Sequence, residues 1–135
     1  MQKSARVVME DDAVIVVDKP AGLLTMATDT ERVRTVYADL RAAAARKRPA
    51  EKIFIVHRLD REASGLLVFA KTIEAKNLLQ DQFKDHSAGR VYTALVEGRV
   101  KRKEFTIRSH LAENAAFRVY VPKNSKAGKP AVTHV

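Results

Sequence analysis

The sequence predicts an α+β fold: a mixed, mainly antiparallel sheet with flanking helices. Short apolar runs rich in β-branched residues recur along the chain, two stretches carry apolar residues at helical spacing, and no internal repeat or low-complexity tract interrupts them. With 135 residues, 46% hydrophobic and 30% charged, the chain can bury one real core, and a single domain is expected over residues 1–135.

Val14 to Val17 is a β-branched run closed by Asp18-Lys19-Pro20-Ala21-Gly22. Proline there fixes φ and glycine admits tight-turn dihedrals, so a buried strand entering a shaped loop is predicted. From Glu31 to Arg48, Val33, Val36, Tyr37, Leu40 and Ala44 fall on one helical face, with Arg46-Lys47-Arg48 in the last turn and Pro49 as the stop. The basic end of that helix is expected to face solvent. Ile53 to Val56 and Leu66 to Ala70 read as buried strands on either side of the polar segment His57 to Gly65. Thr72 is a candidate N-cap for a helix through about Phe83, with Ala75, Leu78, Leu79 and Phe83 as its buried stripe. Arg90 to Val96 has strand composition, Phe117 to Val121 alternates with period two, and Ala131 to Val135 begins another strand. Lys101-Arg102-Lys103 falls in a hairpin or loop, and Lys123 to Pro130 in a polar loop.

Formal net charge is +9, unevenly spread: residues 1–30 hold three basic and five acidic side chains (net −2), the remainder 22 and 11 (net +11). A body of that sign attracts polyanions, RNA or DNA above all. No apolar run is long enough to span a bilayer, and the first residues turn acidic where a signal peptide would be apolar, so a cytoplasmic protein without membrane contact is expected. Without cysteine there is no disulfide or thiolate site, and His57, His86, His110 and His134 lack metal-ligand spacing; no metal is expected.

The segment from His57 to Leu66, HRLDREASGL, sets Asp60 between Arg58 and Arg61 on a loop joining two apolar runs. A carboxylate beside guanidinium groups stays ionised, which suits a nucleophile or a base. A plain loop-shaping ion pair with Arg58 or Arg61 is the competing reading of the same residues.

HRLDREASGLLVFAKT, from His57 to Thr72, resembles the signature of the RluA family of RNA pseudouridine synthases. Asp18 to Leu23 is similar to that family's KPxGL segment, Arg90 to Val96 to its K/R-x-Y-x-A-x-V strand, and Gly128 to His134 to its GKxAxTxY element. The resemblance implies the family's catalytic-domain fold and Asp60 as the catalytic carboxylate that isomerises a uridine of rRNA or tRNA, with no cofactor or metal. It implies Tyr92 as the active-site tyrosine packing on the flipped base, and Arg58 as the arginine that fills the place of that base and holds Asp60 ionised. Arg61, Ser64 and Gly65 would shape the substrate-binding loop, and Lys19 would contact a backbone phosphate or sit solvated in its turn. Ala63 stands where the family carries threonine, which removes a hydroxyl from the loop.

The family's GRxHQIRxH segment, whose arginine pairs with the catalytic aspartate, is expected after Gly128 to His134 and is missing. Thr106 to Leu111 contains IRSHL but precedes that element, so Arg108 is not assigned the role. The chain therefore reads as a synthase domain truncated at its C-terminus and without an S4-like domain, whose open sheet edges offer self-association. A catalytically inactive RNA-binding fragment of the same fold is the alternative, and a basic ribosome-associated structural protein a distant third.

Overall fold

The computed structural model describes residues 4–27, 34–47, 49–116, 118–124 and 127–135. They fall into two compact units, residues 1–91 and 92–135. The first unit is built on a four-stranded antiparallel sheet of β1 (Arg6–Glu10), β2 (Val14–Lys19), β3 (Phe54–Ile55) and β4 (Gly65–Ala70), in the order β1-β2-β4-β3. Asp11 makes the β1–β2 turn by accepting the Ala13 and Val14 amides on Oδ1, at 2.8 and 2.7 Å. β2 and β4 pair along their whole length, from Val14 against Ala70 to Lys19 against Gly65. Along β2 the inward positions are Ile15, Val17 and, at the strand's end, Lys19.

Helix α1 (Val36–Ala45) is capped by Thr35, whose side chain accepts the Ala38 amide. Two more of its first-turn amides, Val36 and Tyr37, donate to the carbonyls of Leu24 and Thr25 at 3.0 Å each, so helix and loop complete one another. Val36, Leu40 and Ala44 bury their side chains with Ile15, Val17, Leu23, Leu67 and Phe69 of the core, and Tyr37 stacks on Phe69. The helix is shorter than its apolar periodicity predicts; Val33 and Arg48 lie outside the described residues. Nor does its basic end simply face solvent: Lys47 pairs with Glu10 and Glu51, and Lys71, at the end of β4, pairs with the same two carboxylates.

Helix α2 (Ile73–Lys84) begins at its expected cap, Thr72, which accepts the Ala75 amide. Its stripe is only half covered, because it packs at the margin of the sheet, over β3 and β4. Ala75, Leu79 and Phe83 face inward in part, while Leu78 is exposed. This corrects the expected fully buried stripe.

The second unit is a three-stranded antiparallel sheet of β5 (Thr106–Glu113), β6 (Val119–Tyr120) and β7 (Lys129–His134), ordered β6-β5-β7. Gly128 lets β7 close on β5, since a Cβ there would stand 3.1 Å from the Leu111 backbone and from the His110 Cβ. Arg90 to Val96, expected as a strand, belongs to neither sheet and is exposed throughout. Its composition suits a strand, but no neighbouring strand among the described residues meets its backbone. Phe117, at the start of the predicted alternating run, lies outside the described residues.

Candidate active site

The segment between β3 and β4 carries the densest set of chemical groups, and its neighbours explain its shape. Asp60 is exposed, while the residues on either side of it are fixed from below by the turn that follows β2. On one side, buried Leu59 is clasped by Thr25, whose Oγ1 donates to the Leu59 carbonyl at 2.9 Å and accepts the Leu59 amide at 3.2 Å. On the other, the Arg61 carbonyl accepts the Gly22 amide at 2.8 Å and the Lys19 ammonium at 3.2 Å. The Ala63 amide closes the turn on the Asp60 carbonyl at 3.2 Å. Asp60 is thus the raised residue of a peptide held at both ends.

Lys19 does not sit where a phosphate contact needs it. Its side chain is fully buried at an inward strand position, and Nζ donates to the carbonyls of Leu23 at 2.7 Å, Pro20 at 3.3 Å and Arg61. Burial pushes the ammonium below the usual lysine range, and the carboxylates of Glu62 and Asp60 pull it partly back. A buried charge of this kind is tolerable only because carbonyl oxygens surround it.

Gly22 and Gly65, with φ of +90° and +126°, occupy backbone conformations that side chains disfavour, and they bound the two facing turns. Arg58 and Ser64 are exposed on the same loop, and Arg61 is half-buried. The Asp60 carboxylate makes no side-chain hydrogen bond or ion pair among the described residues, so a loop-shaping pair with Arg58 or Arg61 does not account for it.

His57, at the start of the loop, stacks on Phe83 of α2 at 4.2 Å between ring centroids and accepts the Val68 amide on Nε2 at 3.2 Å. Burial lowers its pKa, and the charge of Arg90 adds to the effect. An imidazole whose Nε2 accepts a hydrogen bond is neutral, with its proton on Nδ1, and it ties the loop to β4 and α2. The structure thus gathers Arg58, Asp60, Arg61, Ser64 and Gly65 on one loop with Lys19 beneath it. Tyr92 lies in the second unit, 62% exposed and outside both sheets. No group of three or more His, Asp or Glu side chains able to hold a metal occurs among the described residues. Nor, among them, is any helix long and apolar enough to cross a membrane.

The family model for RNA pseudouridylate synthase matches residues 13–135, a span that contains the whole of this loop and its supports. The chain belongs to that family. Among relatives of this pseudouridine synthase family, ribosomal large subunit pseudouridine synthase D of Neisseria meningitidis serogroup B is 38% identical over 129 residues, covering 96% of this chain and 34% of the relative. The tRNA pseudouridine synthase C of Haemophilus ducreyi is 33% identical over 97 residues, covering 72% of this chain and 39% of the relative. The chain therefore spans between a third and two fifths of these two synthases. Human RNA pseudouridylate synthase domain containing 1 shares the fold with a TM-score of 0.74 at 21% identity, over 99% of this chain and 54% of the human one.

Thr25 is the site residue that sequence reading overlooks. Ala63 offers the loop no hydroxyl, and the hydroxyl that braces it comes from Thr25, 34 residues from its partner. The inward place of Lys19 does have a sequence signal, the period-two series Ile15, Val17, Lys19.

Proposed function

We propose that this chain carries the catalytic loop of an RNA pseudouridine synthase and converts uridine in rRNA or tRNA to pseudouridine. The observation that carries the reading is the exposed Asp60 carboxylate, which makes no hydrogen bond or ion pair among the described residues, on a peptide pinned on both sides by Thr25, Lys19 and Gly22. In the reaction the N1–C1′ bond breaks, the uracil turns, C5 joins C1′, and the C5 proton leaves as N1 gains one. Asp60 serves by attack on C1′ or by removing the C2′ proton to give a glycal; both routes need the ionised carboxylate free to reach the sugar. The target base must leave its stack to meet it. Arg58, exposed on the same loop, would hold the vacated position in the RNA, and Tyr92 would pack on the flipped base. Lys19 acts as a positioning residue rather than a phosphate contact. The names of the relatives support an RNA substrate, ribosomal for one and transfer RNA for another.

A fragment that binds RNA without turning it over is the second reading, favoured by the chain's spanning only a third to two fifths of the synthases it matches. One assay separates the two: release of tritium from C5-labelled uridine in ribosomal and transfer RNA. The enzyme reading expects release that falls at least about a thousandfold in Asp60→Asn with RNA affinity kept. Binding without release by the unmodified chain would leave the second reading standing.

A further inference from the structure

The second unit carries most of the molecule's excess charge. Residues 92–135 hold nine basic and three acidic side chains, a net +6 of the chain's +9, although they are only 44 of 135 residues. The two faces of its sheet differ in chemistry. Residues opposite one another in antiparallel strands share a face, so the register sets Thr106 beside His134, Arg108 beside Val132, His110 beside Pro130, and Ala112 beside Tyr120 on one side. The other side carries Ile107, Leu111, Val119 and Ala131, around a shallow depression lined by the last three of these. That second face also carries Ser109, Thr133 and the opposite charges of Glu113 and Lys129; the first displays an arginine, two imidazoles and a phenol ring with no acidic group.

We propose that the face bearing Arg108, His110, Tyr120 and His134 is a binding surface for single-stranded RNA, made by residues other than those of the Asp60 loop. The inference rests on the RNA-directed reading above. Flat rings on a sheet stack on unpaired bases, whereas the bases of a duplex already have both faces covered. Tyr120 is 48% exposed and available for this, and the His134 ring is held by a 3.0 Å hydrogen bond between its Nδ1 and the Thr106 hydroxyl, so it is oriented before any ligand arrives. Arg108, exposed at the middle of β5, supplies a guanidinium for phosphate or for stacking. No acidic side chain lies on this face of the three strands, whereas Glu113 lies on the other.

The test uses the 135-residue chain and fluorescence anisotropy with a 12-nucleotide uridine-rich RNA, alone and annealed to its complement, at several salt concentrations. Tighter binding of the single strand is expected. Tyr120→Leu should weaken it about fivefold or more while Tyr120→Phe keeps it, because stacking and not the hydroxyl is at stake. Arg108→Ala should weaken it and lower the salt slope by about one. Lys129→Ala, which removes the same charge from the opposite face, should change affinity less than about twofold. Circular dichroism establishes that each variant keeps its sheet, as expected for exposed positions. Equal losses in Arg108→Ala and Lys129→Ala, full binding by Tyr120→Leu, or tighter binding of the duplex would overturn the surface while leaving the RNA reading intact. Failure of the unmodified chain to bind either RNA would overturn both.

Discussion

Leu59 and Arg61, not Asp60, bear the structural load of the loop. Thr25 satisfies both backbone groups of Leu59 in a buried setting, so Thr25→Val, which keeps the shape and removes the hydroxyl, strands a buried amide and carbonyl. A loss of about 1–3 kcal/mol in denaturant unfolding is expected, with most of it restored in Thr25→Ser. His57 makes a second prediction. Burial sets its folded pKa below the ordinary 6.5, so the unfolded chain takes up its proton first as pH falls. The histidine's contribution is complete above 6.5 and declines below it, until the folded imidazole also protonates. Thermal melts from pH 7.5 to 5 should therefore show a fall in Tm that is reduced in His57→Gln; an unchanged slope in that variant would remove His57 as the cause.

At the scale of elements, the ends of β1, α1 and β4 meet through Glu10, Lys47, Glu51 and Lys71, with the Lys71 ammonium also donating to the Asp11 carbonyl at 2.6 Å. The lysines hold both carboxyl groups below their usual range. Their contribution is present above about pH 4.5 and is lost as pH falls through the lowered values, a limb separate from that of His57. Lys71→Met should flatten the lower limb of the melting profile and keep the upper one. The strands that were legible in sequence, β2 and β4, are those whose β-branched and apolar residues fill the core. β1 was not, because all five of its residues are exposed and its pairing depends on the Asp11 turn. Arg90 to Val96 misleads in the opposite sense, with strand residues and no partner strand among the described residues. In the loop, charge pattern and resemblance point to Asp60, but no local pattern announces Thr25, whose meaning depends on a contact far along the chain.

At the scale of the molecule, the two units divide the work unequally. The first, residues 1–91, contains the Asp60 loop, all its supports and a net +3, while the smaller second unit holds the remaining +6. The Asp60 loop and most of the excess positive charge thus reside on different stretches of chain, and the two relatives are two to three times longer than the part matched here. The clasp on the loop spans separations of 34 residues at Thr25–Leu59 and 42 at Lys19–Arg61. Such contacts tie the loop to residues far along the chain, and they are expected to open together with the β2–β4 pairing rather than by fraying of the loop alone. The Leu59 amide, although outside any helix or strand, should therefore exchange its hydrogen with solvent as slowly as the amides of the central strands, and the Asp60 peptide should lose its shape only when the sheet does.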